Sequence, residues 1–169
     1  MSYLDRVKSV RMDIIKHIAL SGIENIPDNT YVLYVDGSYE TKDKKAGWGF
    51  VAIVNNKLMF ADYGNVDDEH LGARNITGEC ASALKALEWL DSIGVANATI
   101  VHDYKGLGQW ASNLWQAKSP VAKKYKKKVE ETKVQVCWRH IKGHNGNEWN
   151  ECVDVLAELG KLKPTEVYL

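Results

Sequence analysis

Apolar and polar positions alternate with period two through the first third of the recognisable domain and shift to helical spacing after it. Tyr31-Val32-Leu33-Tyr34-Val35-Asp36-Gly37-Ser38 is a run of β-branched and aromatic residues closing on a carboxylate and a glycine. It predicts a buried central strand that delivers Asp36 at its carboxyl end, where ligands bind in an open α/β sheet. Taken alone, Asp before Gly is also ordinary turn chemistry. A polar loop over 39–45 leads into two alternating runs, 47–54 and 57–66, joined at Asn55-Asn56, a pair that tolerates positive φ and predicts a hairpin. Ala81, Leu84, Leu87, Trp89, Leu90 and Ile93 then form a helical stripe over 75–93 that stops at Gly94. Residues 99–103 read as a short buried strand ending in a second acid, Asp103, and 104–117 as a helix carrying Trp110 and Trp115 up to Ser119-Pro120. A lysine-rich helix over 121–132, a last strand over 134–141 and a helix over 147–159 capped by Gly160 complete the pattern.

The order β-β-β-α-β-α-α-β-α implies an α/β fold, a mixed sheet with helices on both faces. Ahead of it, Leu4, Val7, Met12, Ile14, Ile15 and Ile18 predict an amphipathic helix over 3–20, followed by a linker containing Pro27. That helix is suited to pack on the main domain or to support self-association with another subunit. The chain therefore divides into an amino-terminal helix and linker over 1–29, a main domain over 30–160 and a tail over 161–169. With 169 residues, 45% of them apolar, there is material for one domain with a substantial core.

Composition removes several function classes. No run of about 18 apolar residues occurs, so no membrane span is expected. The amino terminus mixes Asp5, Arg6, Lys8, Arg11 and Asp13 with its apolar residues, unlike a secretory signal. Cys80, Cys137 and Cys152 are an odd number without zinc-ligand spacing, and they read as small buried side chains in a reducing, cytoplasmic setting. The 22 basic and 22 acidic residues cancel, so nucleic-acid binding has to come from a local patch.

Four acids fall at informative places: Asp36 and Asp103 at strand ends, Glu79 in the first turns of a helix, and Asp154 on the terminal helix four residues after Asn150. If the strands that carry Asp36 and Asp103 are parallel neighbours, the two carboxylates sit side by side, repel each other and acquire raised pKa values unless cations neutralise them. Hard divalent cations favour such oxygen donors. Individually, Glu79 also suits a helix amino terminus and Asp154 an exposed helix face. A single site explains all four together.

These pieces resemble the type 1 ribonucleases H. The likeness rests on Tyr34-Val35-Asp36-Gly37-Ser38, Arg74-Asn75-Ile76-Thr77-Gly78-Glu79, His102-Asp103-Tyr104, and Lys142-Gly143-His144-Asn145-Gly146 leading into Asn150-Glu151-Cys152-Val153-Asp154. Their order and spacing span residues 30–160. The resemblance implies a five-stranded sheet with its first three strands antiparallel, and a tetrad of Asp36, Glu79, Asp103 and Asp154 holding two Mg²⁺ ions, with Mn²⁺ as a substitute. It implies hydrolysis of the RNA strand of an RNA–DNA hybrid by a two-metal mechanism that leaves 5′-phosphate and 3′-hydroxyl ends. His144 matches the family's mobile histidine, Asn75 its minor-groove asparagine, and Arg74 is a candidate phosphate contact. Gly37 and Ser38 are expected to approach the substrate through their backbone, and Asn150 is a further candidate contact.

Two departures stand out. Lys105 occupies a position where some members carry a polar base-groove contact. The basic protrusion of some members is absent as a separate helix, leaving Lys118, Lys123, Lys124, Lys126, Lys127 and Lys128 as a substitute surface for the DNA strand. Two other functions share this outline: a noncatalytic hybrid-binding module, against which four clustered acids beside a polyanion argue, and a DNA-cutting nuclease on the same fold.

Overall fold

In the computed structural model the described residues are 31–42, 45–55, 57–66, 75–143 and 148–161. The helix expected over 3–20, Arg74, His144 and the tail beyond residue 161 lie outside them. The elements run β1 (Tyr31–Glu40), β2 (Lys45–Val54), β3 (Lys57–Asn65), α1 (Asn75–Ile93), β4 (Asn97–His102), α2 (Gly106–Ala111), α3 (Pro120–Glu131), β5 (Gln135–His140) and α4 (Glu148–Gly160), in the expected order. They build one five-stranded sheet ordered β3-β2-β1-β4-β5. β1, β2 and β3 are antiparallel, and β4 and β5 add parallel strands on the other side of β1. Among the described residues no helix is long and apolar enough to cross a membrane.

Period two along β1 separates two cores. Leu33 and Val35 join the layer formed with Cys80, Ala83, Leu87 and Leu90 of α1, while Val32 and Tyr34 join Trp149, Val153 and Leu156 of α4. Each fully buried Leu, Val or Phe in these layers contributes roughly 1.5–3 kcal/mol of hydrophobic stabilisation. The Gly47-Trp48-Gly49 segment of β2 shows why α4 lies so close. A Cβ at Gly47 would come within 2.2 Å of the Ala157 carbonyl oxygen, and one at Gly49 within 2.8 Å of Leu156 Cβ. Trp48, between them, faces the α1 layer.

Several boundaries differ from the sequence pattern. β1 does not turn at Gly37; it continues to Glu40, because Gly37↔Trp48, Ser38↔Gly47 and Glu40↔Lys45 keep pairing with β2. The helix expected over 104–117 is confined to Gly106–Ala111, since Asn113 adopts φ 63 and the Leu114 and Trp115 amides turn back to donate to the Gln109 carbonyl. Gly160 is the last residue of α4 rather than a left-handed cap, and it is small because the Gly64 carbonyl oxygen lies 2.4 Å from where its Cβ would be. Asn55 at φ 51 and Gly94 at φ 75 take the left-handed conformations that the hairpin and the helix stop require. Cys80 and Cys152 are buried, but Cys137 is exposed. α4 packs over β1, β2 and β3, so the alternate residues Gln135, Cys137 and Arg139 of β5 stay open to solvent.

Candidate active site

The parallel pairing of β1 with β4 runs to Tyr34↔Val101 and ends there. Two residues beyond that last pair, Asp36 on β1 and Asp103 just past β4 lie at the same edge. Asp36 is still in β1, on the α4 face by its period-two relation to Tyr34, and only 3% exposed. Glu79 reaches the same point because α1 lies on the β1 backbone: a Cβ on Gly37 would stand 2.2 Å from the Glu79 amide nitrogen, and one on Gly78 would stand 2.6 Å from the Gly47 carbonyl oxygen. Gly37 is therefore glycine to admit the helix, so the space beside it is filled by the chain itself.

Carboxylate oxygens of Asp36, Glu79 and Asp103 all lie within 4.8 Å of one another. Asp154, in the second turn of α4, comes within hydrogen-bond reach of Asp36 from the other layer. Asp36 is thus the hub of the cluster, in contact with all three other acids.

The electrostatics follow from burial and like charge. Burial, then the charges of Glu79 and Asp103, push the Asp36 carboxyl up to about 11. Burial, then the charge of Asp103, push Glu79 up to about 8 against the hydrogen bonds it accepts from Asp36 and the Gly37 N–H. Asp103 is also raised by burial, opposed by the Asn150 amide, which donates to its carboxylate. Without a cation, the cluster holds protons at neutral pH that four ordinary carboxylates would release.

The donor set fits a hard divalent cation. Its oxygens are carboxylate oxygens, and Glu79 Oε2 is buried with no hydrogen-bond partner, an arrangement that costs stability unless something accepts its charge.

Against known proteins, the RNase H family model matches residues 28–161. The chain belongs to the ribonuclease H family. The ribonuclease H of Francisella philomiragia is 32% identical over 147 residues, spanning 76% of this chain and 89% of that protein. The ribonuclease H of Caulobacter sp. strain K31 is 31% identical over 144 residues, spanning 78% of this chain and 90% of that protein. Among solved structures, RNase H1 from the halophilic archaeon Halobacterium salinarum NRC-1 superposes with a TM-score of 0.64 at 17% identity, covering 78% of this chain and 97% of that one. LC11-RNase H1, solved in complex with an RNA/DNA hybrid, gives 0.63 at 17% identity, covering 76% and 97%. At those identities the structural likeness speaks for the fold, and family membership rests on the sequence matches. As a ribonuclease H the protein is a hydrolase.

The other residues singled out in this ribonuclease H take varied places. Asn150 is 3% exposed and spends its amide on Asp103, which makes it an internal support of the acid cluster. The Ser38 hydroxyl donates to Glu158 Oε1 at 2.7 Å, and Glu158 pairs in turn with Lys161 at 2.8 Å, so that side chain ties β1 to α4. Asn75 opens α1. Gly143, the residue before His144, lies against the site, with 3.2 Å between its would-be Cβ and Asp103 Oδ2. Lys123, Lys124, Lys127 and Lys128 are exposed on α3.

Two histidines had no role from sequence: His102, named only within the His102-Asp103-Tyr104 motif, and His140. His102 and His140 face each other at the ends of β4 and β5, with ring centroids 5.8 Å apart. Burial, partly offset by the hydrogen bond to the Tyr104 carbonyl, pushes the His102 ring down to about 4, so it is neutral at physiological pH. The pairing Val101↔Arg139 that places them was not visible in either strand alone.

Proposed function

We propose that this ribonuclease H cleaves the RNA strand of RNA–DNA hybrids with two Mg²⁺ ions, Mn²⁺ substituting, and leaves 5′-phosphate and 3′-hydroxyl ends. The observation that carries this is the convergence of Asp36 of β1, Glu79 of α1 and Asp103 of the turn after β4 within 4.8 Å. The hybrid bound to the similarly folded LC11-RNase H1 supports the choice of substrate.

In this reading residues 30–160 are the catalytic domain, and Asp36, Glu79, Asp103 and Asp154 hold the metals. Bound there, the ions supply Lewis acidity and an oriented water for in-line displacement at phosphorus. Asp36, which contacts the other three acids, would be the ligand shared by the ions, with Glu79 and Asp103 serving one and Asp154 the other. Asn150 keeps Asp103 aimed inward by donating to it. The cluster stands at the sheet edge, with Gly143 against Asp103. His144 is assigned to proton transfer or product release, since histidine titrates near neutral pH. Asn75 and Arg74, ahead of Glu79, are assigned to the hybrid's minor groove and phosphates, where 2′-hydroxyls distinguish RNA from DNA. The backbone of Gly37 and Ser38 borders the same edge, and the α3 lysines offer phosphate contacts to the DNA strand.

The test incubates labelled RNA–DNA hybrid, double-stranded RNA and double-stranded DNA with the protein and Mg²⁺. Cleavage confined to the RNA strand of the hybrid, with end groups as above, is expected. Asp103→Asn should abolish it while circular dichroism stays native. Equal cutting of double-stranded DNA, or cutting that survives Asp103→Asn, would remove the assignment.

A further inference from the structure

Asp103 lies one residue beyond β4, so no strand pairing fixes its peptide. Its carboxylate is nevertheless tied to that peptide, because it accepts from its own backbone N–H as well as from Asn150. Wherever the 103–104 turn goes, the carboxylate follows.

Two imidazoles hold that turn. His140, the last residue of β5, has Nε2 3.1 Å from the Asp103 carbonyl oxygen, and His102, the last residue of β4, has Nδ1 2.9 Å from the Tyr104 carbonyl oxygen. A carbonyl only accepts, so each ring nitrogen must carry the proton and donate. The Ile141 amide donates to the His102 carbonyl at 2.9 Å, locking β5 to the same point. Gly108 makes room for the buried ring, since its Cβ would stand 3.0 Å from His102 Nε2. His102 is 1% exposed, whereas His140 is on the surface and its substitution leaves the core untouched.

We propose that His140 is a positioning residue of the active site: through its hydrogen bond to the Asp103 carbonyl, braced by His102 on Tyr104, it sets the pose in which the Asp103 carboxylate receives metal. This rests on the metal-dependent reading above. It assigns a function to a side chain outside the acid cluster, acting on ligand geometry rather than on the fold.

The experiment compares the full-length wild type with His140→Ala and His140→Gln, the latter carrying an amide N–H that can replace Nε2. Thermal melts over a Mg²⁺ titration give the concentration for half-maximal stabilisation, and steady-state cleavage gives kcat and KM for the hybrid. Partners that orient metal ligands typically alter metal affinity by about tenfold or more. His140→Ala should therefore raise the Mg²⁺ midpoint about tenfold and lower kcat at limiting Mg²⁺. KM for the hybrid and the melting temperature in EDTA should be unchanged, and His140→Gln should restore most of the midpoint. An unchanged midpoint in His140→Ala, or a loss confined to KM or to stability in EDTA, overturns the inference while leaving the metal-dependent reading intact. A wild type that neither gains stability from Mg²⁺ nor cleaves hybrid overturns both.

Discussion

Replacing Asp36 by asparagine keeps the shape of the side chain and removes its need for a buried proton, so the metal-free variant is expected to outlast the wild type at neutral pH. Asp36 is 3% exposed and in contact with three other acids. Its ordinary value is 3.8 and the folded cluster pushes it to about 11. Retaining the proton at pH 7 therefore costs the folded wild type up to about 4 kcal/mol, the gap between pH 7 and 3.8 multiplied by 2.303RT. Asparagine escapes this cost. Its Oδ1 still accepts the Gly37 N–H, which lies 2.9 Å from Asp36 Oδ1, and its amide hydrogens face carboxylate acceptors. Allowing for imperfect amide fit, the gain is about 2–4 kcal/mol, or roughly 5–12 °C for a chain of this size. The sign has a pH signature. A raised acid contributes stability that is complete below 3.8 and is lost as pH climbs toward the folded value, so the difference between variant and wild type should open from pH 4 to pH 7.5. Circular-dichroism melts in EDTA at pH 4, 6 and 7.5 measure it directly. Added Mg²⁺ should stabilise the wild type and not the variant. An asparagine variant no more stable than wild type at pH 7.5, or a difference that does not vary with pH, would refute the reasoning.

Gly37→Ala places a Cβ 2.2 Å from the Glu79 amide nitrogen, where only backbone can yield; urea melts should show a loss of about 3 kcal/mol, and hybrid cleavage should fall with it as Glu79 is displaced. Tyr125 is buried and its hydroxyl donates to the Leu107 carbonyl at 2.9 Å, so Tyr125→Phe should cost about 1–2 kcal/mol in the same assay without altering kcat. Ser119 caps α3 by accepting from the Ala122 amide at 3.1 Å; Ser119→Ala should cost about 1 kcal/mol and leave cleavage unchanged, and a neutral substitution would mean the cap is idle.

What could be read from the residues follows from how local each determinant is. The strand pattern of 31–36, the Asn55 turn and the Gly94 stop are set by side chains and φ preferences within a few residues, and all three appear in the fold. The course of β1 past Asp36 is different. Whether Gly37 turns or continues depends on Trp48 of β2 across from it and on α1 behind it, partners far along the chain. The same distance effect exposed Cys137: an alternating strand buries both faces only where a second layer covers it, and α4 stops short of β5. Trp115 was placed in a helix because its spacing from Trp110 suited one, but Asn113 in the left-handed region carries it out to 40% exposure, packed edge-on against the buried Trp110.

The acids were legible for a further reason, which also explains why their supports were not. A carboxylate beside an apolar core is costly, so Asp36, Glu79, Asp103 and Asp154, each next to apolar runs of the sequence, form an anomaly of residue type that one site accounts for. Asn150, His102 and His140 are no anomaly. They act by donating to a carboxylate or to main-chain carbonyls, acceptors that every residue of the chain offers and that therefore leave no mark in the sequence. Recognising them requires knowing that β4 and β5 end in register, His102 opposite His140, with Asp103 just beyond. A site whose charged groups are conspicuous can thus depend on neutral donors that are not, and the geometry of the 103–104 turn is where that dependence is concentrated.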